Sequence, residues 1–253
     1  MATDYPKFLY ESRLNDAVPV AGTTAAGFDV LNLRDSRSFT WWQPTAMPAT
    51  VTVDCGSAKA ADYLAIHGHD LNTTGCTVEV RGSSDNFGAV DILVHSVTPA
   101  SDKPVLVFFT SVAYRYWRLT FTTGTVPTVA IAMLGQLLDI PAGVQSGFDP
   151  IGRKVIEQSN RSVEGHALGK VIEFEAWEQS VTFELLAWAW VRATWLPAWA
   201  AHLRGLPFLF SWDPTGHPTE VFHVETDGQF STPHRAGGFV DLTVPLVGLA
   251  LPA

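Results

Sequence analysis

The chain has 253 residues, of which 47% are hydrophobic and only 16% are charged. Soluble globular proteins carry about 25% charged residues, so part of this surface is expected to be covered by other subunits. Sixteen Lys and Arg against 25 Asp and Glu give a formal charge of 16 − 25 = −9. Specific nucleic-acid binding is not expected, because no basic run is available to contact a phosphate backbone.

Neither the start of the chain nor its longest apolar stretch has the form of a targeting segment. The opening MATDYPKFLYESRL lacks the basic region and apolar core of a signal peptide. Residues 185–203 are interrupted by arginine, proline and histidine, so no membrane span is expected. Cys55 and Cys76 lack the spacing of a disulfide framework or a zinc site, and we predict buried free thiols. We expect the product to remain in the cytosol or to enter an assembly there.

Short runs rich in Val, Ile, Thr and aromatic residues fill the first half of the chain. Turn-forming stretches such as GSSDNFG and TTGTVP separate them, and no helical periodicity lies between them. This pattern predicts an antiparallel β-sandwich over residues 1–140. The predicted strands are residues 50–54, 62–67, 76–81, 90–97, 104–109 and 114–122.

The composition of the chain changes at LDIPAGVQSGFDPIG, which is rich in Gly and Pro. This stretch predicts a linker over residues 141–152. A second unit follows at 153–253. Within it, KVIEFEAWE and SVTFELLAW indicate two strands or one long bent strand, and PFLFSW, TEVFHVET and GFVDLTVPLVGL indicate further strands. The predicted fold class is therefore mainly β, with an N-terminal antiparallel sandwich and a small C-terminal β domain.

One helix is predicted in the second unit, near residues 194–204. Thr194 can cap its start, Pro197 falls in the first turn, and Gly205 lies just past its end. Six of the nine tryptophans lie in this half of the chain, and we expect them to pack the core and interfaces.

His67, His69 and Asp70 form the one cluster that resembles a metal or catalytic site. Two histidines at alternate positions of a strand can share a face, but Gly68 breaks the strand and no further ligand is placed by spacing. We predict no metal here. These residues are instead assigned, with Trp41 and Trp42, to an exposed loop surface. Adjacent residues of an extended segment point in opposite directions, so one tryptophan is expected to pack inward and the other to face solvent.

No catalytic residue can be assigned from the sequence. It contains no GxSxG elbow, no carboxylate pair at fixed spacing and no Gly-rich phosphate loop before a helix. We predict that the protein is not an enzyme and that it uses no cofactor.

The first unit resembles the discoidin-type, or galactose-binding-like, β-sandwich. The resemblance rests on NLRD, a tryptophan, PATVTVDCG, DYLAI, VEVRGSSD and YWRL, which follow one another in the order typical of that superfamily. It implies a jelly-roll sandwich but no particular ligand, since members bind glycans, lipids or proteins or serve as structural modules.

The whole chain resembles minor tail, tail-tip or baseplate proteins of long-tailed bacteriophages. RLNDAVPVAGTTAAGFDVLNLRD opens the first half, and GRKVIEQSNRSVEGHALGKVIEFEAWEQSVTFELL, a helix and LPFLFSWDP make the second half similar to distal-tail and tail-tube domains. The resemblance implies a structural virion protein assembled in the host cytoplasm. Its C-terminal domain would form a homo-oligomeric ring around the tail channel, and six copies are expected because such tubes are built from hexameric rings.

The resemblance also implies partners and leaves alternatives. The ring would contact tube, hub and tape-measure proteins, and the N-terminal sandwich would mediate protein contacts or bind a host-surface glycan weakly. An acidic ring lining would let DNA slide without adhering. The alternative is a stand-alone carbohydrate-binding adhesin, followed by a glycan hydrolase that carries a binding module.

Overall fold

A computed structural model of the protein describes residues 5–249. Within that range the chain forms two antiparallel sheets, of six and eight strands. The first sheet contains β2 (Val20–Ala21), β3 (Ala49–His69), β4 (Thr77–Ser83), β5 (Ile92–Val97), β6 (Val105–Thr122) and β7 (Val129–Gly135). The second sheet contains β1 (Lys7–Leu9), β8 (Leu138–Asp139), β9 (Lys154–Arg161), β10 (Ala167–Ala187), β11 (Phe208–Ser211), β12 (Val221–Thr226), β13 (His234–Arg235) and β14 (Phe239–Leu249). The predicted class, mainly β with an N-terminal antiparallel sandwich, is confirmed.

Two long strands, β3 and β6, form the backbone of the first unit. The predicted runs 50–54 and 62–67 belong to one strand, because the Asp54-Cys55-Gly56 segment makes an irregularity in it and not a turn. Pairing with β6 passes from Asp54↔Tyr116 directly to Lys59↔Tyr114. Gly56 takes a φ of +71°, and its N–H donates to Asp54 Oδ1 at 2.8 Å. The inward residues of β3, β4, β6 and β7 enclose one apolar core around Trp42, Trp117 and Phe121.

The second unit is organised around β10, which is one long strand with a bulge between Phe183 and Leu186. It pairs with β14 on one side and β9 on the other, so β9 is the edge of the sheet. Trp177 and Trp195 are fully buried in the core. The other tryptophans of this half pack against the same cluster as partly buried side chains, which confirms the predicted packing role: Trp188, Trp190, Trp199 and Trp212.

The predicted helix exists but begins six residues earlier than expected. Helix α1 spans residues 188–203 and includes two five-residue π-helical segments, Val191–Trp195 and Trp199–Leu203. Pro197, which has no N–H, therefore lies in the helix interior and not in a first turn capped by Thr194. The buried face is Val191, Trp195, Ala198 and Leu203.

The two units share a buried junction. Strand β1, although it lies within the predicted first unit, pairs with β11 and β8 of the second sheet. A third apolar cluster lies between the sheets and is formed by Leu9, Tyr63, Ala65, Ala130, Ile131, Met133, Leu209 and Val221. Tyr63 Oη donates to the Glu11 carbonyl at 2.5 Å. The limits predicted for the sandwich, linker and second unit otherwise stay a prediction.

Candidate functional site

The structure separates the two adjacent tryptophans of the predicted loop surface. Trp42 is fully buried, and its Nε1 donates to Thr24 Oγ1 at 3.3 Å. Its assignment to an exposed surface was wrong, because its backbone pairs with Val129 and turns the indole into the sandwich core. Trp41 is 39% exposed and stacks on Phe28, with ring centroids 5.8 Å apart and planes at 23°.

His69 is likewise not a surface residue, since only 8% of it is exposed. The Leu71 N–H donates to its Nδ1 at 3.2 Å, so Nε2 carries the proton and donates to the Lys103 carbonyl at 2.9 Å. Burial lowers the pKa of His69. The ring therefore holds two loops together as a neutral group.

The side chains of His67 and Asp70 lie in two further parts of the structure. His67 faces His223 of the second sheet, with ring centroids 5.6 Å apart, and burial lowers its pKa to about 4. Asp70 is half-buried and accepts the Thr128 N–H at 2.7 Å. Gly68, with a φ of +67°, breaks the strand alternation between the histidines. The predicted cluster is thus dispersed over a loop, a junction and a turn.

What remains of the predicted surface is an aromatic platform around Trp41, defined here as Trp41 with Phe28 beneath it. Asn32 Nδ2 donates to the Trp41 carbonyl at 2.9 Å, which fixes the backbone of the platform. Asp35 accepts from Thr40 Oγ1 at 2.8 Å in the same loop. One indole face is therefore backed by a ring while polar side chains lie along the loop, an arrangement that suits stacking against a sugar or an apolar side chain.

Both cysteines are free, as predicted; Cys76 is buried and Cys55 half-buried. Burial raises the pKa of Cys55 to about 12 and that of Cys76 to about 11. The thiol form of both side chains is therefore favoured near neutral pH.

Residues 5–249 contain no cluster of three or more His, Cys, Asp or Glu side chains arranged to hold a metal ion. In the same range, no helix has the length and hydropathy needed to cross a membrane.

A protruding strand pair is the most unusual surface of the molecule. We define the arm as β9, residues 162–166 and residues 167–175 of β10. Seven of the eight residues of β9 are exposed, as are the first nine of β10. Val171 and Ile172 are 66% and 57% exposed although they are adjacent and point to opposite faces. The arm therefore presents apolar side chains on both faces.

Ion pairs run along the arm between its two strands. Lys170 pairs with Glu157, and Arg153 Nη1 lies 2.9 Å from Glu175 Oε2 at the root. Gln158 Nε2 donates to Glu173 Oε1 at 2.6 Å. These contacts hold the two strands in register while leaving the aliphatic residues uncovered.

A groove lies at the root of the arm. It has a volume of about 440 Å³ and separates the loop 36–39 from the second sheet. Its apolar lining includes Phe39, Ile156, Phe174, Val247 and Leu249. Phe39 is 73% exposed and Leu249 57% exposed, so this lining is open to solvent. We call it the root groove.

Sequence reasoning missed both the arm and the root groove. The sequence does hold one signal for the arm, the adjacent pair Val171-Ile172 in KVIEFE, because a half-buried strand would place a polar residue at one of the two positions. No local signal exists for the groove, since its walls come from residues more than 100 positions apart in the chain.

Comparisons with known proteins give a likeness at the level of fold. No protein-family model matches the chain, and no curated protein matches. A chitosan-binding module from a chitosanase/glucanase of Paenibacillus sp. IK-5 is similar, with 16% identity, a TM-score of 0.42, and coverage of 49% of this chain and 98% of the module.

Two modules from Clostridium perfringens are also similar. One is the CpGH89CBM32-5 module in complex with GalNAc-β-1,3-galactose, at 14% identity and a TM-score of 0.43, covering 50% of this chain and 99% of the module. The other is the family 32 carbohydrate-binding module of NanJ in complex with galactose, at 16% identity and a TM-score of 0.41, covering 50% and 98%. About half of this chain thus resembles carbohydrate-binding modules. At these scores the likeness carries no conclusion about a ligand.

Proposed function

We propose that the protein is a structural subunit that self-associates through the arm. The observation that carries this proposal is the uncovered apolar surface on both faces of β9 and residues 167–175. An isolated two-stranded ribbon is marginally stable in water, and an open apolar edge strand is a template for pairing with another chain. A second copy would cover this surface.

Composition supports the same function. With 16% charged residues, the chain has fewer charges than a free monomer of its size normally carries. Obligate interfaces are more apolar than the rest of a protein surface. A subunit that is permanently part of an assembly needs fewer charged residues to remain soluble.

We further propose the particular assembly, a ring in the tail tip or baseplate of a long-tailed bacteriophage. Support comes from the sequence resemblance and from the arm. In this proposal the second unit forms the ring, six copies surround the tail channel, and tube, hub and tape-measure proteins are neighbours. The sandwich faces outward, and the protein has no catalytic role.

Sedimentation velocity over a range of concentrations tests self-association. Replacing Val171→Thr and Ile172→Thr together keeps β-branched residues in the exposed part of β10 but removes apolar area. We expect the variant to dissociate at concentrations where the unaltered chain is oligomeric.

A matched control uses apolar residues of equal exposure on the first unit. Val18 and Val20 are 66% and 68% exposed, and Val18→Thr with Val20→Thr should leave the association unchanged. A chain that stays monomeric at every concentration, or two double variants that behave alike, would count against the proposal.

Carbohydrate binding by the sandwich is the second candidate function. The specific observation behind it is the Trp41 platform, an exposed indole backed by Phe28. Aromatic faces together with nearby amide and carboxylate groups are suited to a sugar ring.

A glycan array followed by titration calorimetry tests this candidate. Trp41→Ala should abolish binding of any sugar found on the array. Phe39→Ala, which removes another exposed aromatic side chain, should leave binding unaltered. If no glycan binds, or if Trp41→Ala binds as tightly as the unaltered chain, the sandwich does not bind sugar through this platform.

A further inference from the structure

We propose that the tip of the arm of one copy seats in the root groove of the next copy, so that the chain associates head to tail. The inference rests on the proposed self-association and adds to it the two surfaces that meet. The tip is defined as Arg161, the turn 162–166 and Leu168.

The tip is a hydrogen-bonded turn that exposes two apolar side chains. Val163 is fully exposed, at 107%, and Leu168 is 68% exposed. The turn is closed by the Ser162 N–H, which donates to the His166 carbonyl at 2.9 Å, and by Gly165 at a φ of +85°. Arg161 Nη1 donates to the Gly165 carbonyl at 3.3 Å. A preformed turn loses little conformational entropy when it docks.

The root groove, like the tip, presents apolar side chains. Phe39 forms one wall, and Phe174, Val247 and Leu249 on the second sheet form the other. Ser36 of the wall loop and His223 of β12 both line the groove. The volume of the root groove, about 440 Å³, falls in the size range of pockets that hold a bound group.

Charges on the two surfaces are complementary. Arg37, Glu178 and Glu225 line the groove. Glu178 pairs with Lys154 at 2.7 Å, and no ion pair within residues 5–249 includes Arg37 or Glu225. On the tip, Arg161 likewise has no carboxylate partner in the described part of the chain, and Glu164 has His166 at 3.7 Å. Docking can therefore join Glu164 with Arg37 and Arg161 with Glu225.

The two surfaces cannot meet within one molecule. Val163 lies seven positions beyond Ile156, which lines the groove, and an extended strand therefore separates them by about 24 Å. A tip-to-groove contact is consequently heterologous, and such contacts close into rings or continue as filaments. Repeated in one direction, this contact agrees with a ring, whereas two copies that exchange tips reciprocally would form a two-fold dimer.

Complementation of two defective variants tests the contact. The double variant Val163→Asp with Leu168→Asp places two carboxylates on the tip and leaves the groove unchanged. The variant Phe39→Asp places a carboxylate in the groove wall and leaves the tip unchanged. Each variant alone should lose at least about tenfold in its association constant by sedimentation velocity. An equimolar mixture should form a heterodimer, because one intact tip and one intact groove are then available.

A surface control and a charge exchange complete the test. Val18→Asp with Val20→Asp, at matched exposure on the sandwich, should associate like the unaltered chain, and circular dichroism should show all variants folded. Glu164→Arg and Arg37→Glu should each weaken association and should restore it when combined in one chain. If the unaltered chain associates but the mixture stays monomeric, or either defective variant assembles normally, the tip does not use this groove. If the unaltered chain is monomeric throughout, the proposed self-association itself fails.

Discussion

His67 and His223 face each other across the junction of the two sheets, with their ring centroids 5.6 Å apart. His67 Nδ1 and His223 Nε2 are both buried and have no hydrogen-bond partner within the described residues. Burial lowers the pKa of both rings, to about 4 for His67. A pair of imidazoles thus lies at the junction, where burial favours the neutral form of both rings.

The first prediction concerns pH. Because the folded-state pKa of His67 lies below its usual value of 6.5, the unfolded chain binds more protons between these two values, and stability must fall as pH falls through that window. His67 alone should contribute a loss of about 2 kcal/mol in the free energy of unfolding between pH 7.5 and pH 5. Urea unfolding at the two pH values measures this loss.

The variant His67→Phe provides the control, since it keeps a ring at the junction and cannot be protonated. Its unfolding free energy should depend less on pH over the same window. Carboxylates with lowered pKa, such as Asp54 at about 2, lose their contribution only at lower pH. A variant with the same pH dependence as the unaltered chain would contradict the assignment.

The second prediction compares the adjacent tryptophans. Trp42→Ala should destabilise the fold by about 3–5 kcal/mol, because it opens a cavity in a close-packed core. Trp41→Ala should destabilise the fold by less, about 1–2 kcal/mol, because the indole is partly exposed but loses its stacking on Phe28. Thermal unfolding of the two variants under identical conditions gives the comparison. Equal melting temperatures would show that the inward and outward assignments are wrong.

The third prediction concerns a close backbone approach. A Cβ on Gly135, in β7, would lie 1.9 Å from the Glu11 carbonyl oxygen. Gly135→Ala must therefore push the N-terminal segment away, at a cost of about 1–3 kcal/mol in unfolding free energy. Gly143, in the loop after β8, has nothing within 4 Å of its Cβ position, and Gly143→Ala should be near neutral. Chemical denaturation distinguishes the two, and a neutral Gly135→Ala would refute the packing.

Much of the strand content follows from local pattern, because alternating apolar residues and turn-forming stretches act over a few positions. The same rule correctly places one of Trp41 and Trp42 inside, but only the pairing with Val129 decides which. Trp188 ends the predicted strand run SVTFELLAW, yet it begins the helix. Strand and helix patterns overlap in such short aromatic runs.

The candidate site was harder to predict, because contacts distant in sequence decide exposure. His69 is buried by the loop that supplies the Lys103 carbonyl, and His67 by a strand more than 150 positions away. The root groove likewise combines loop 36–39 with the end of β14. Single-sequence patterns carry no information about such pairings.

Amide hydrogen exchange as a function of protein concentration tests the central claim, self-association through the arm, most directly. In the free chain, amides on the outer edge of β9 face water and should exchange fast. At high concentration, residues 154–161 and 167–175 should become protected, while β4, whose neighbours β5 and β6 lie in the same sheet, should be unchanged. Arm amides whose exchange is independent of concentration in a sample that sedimentation shows to be oligomeric would contradict the account.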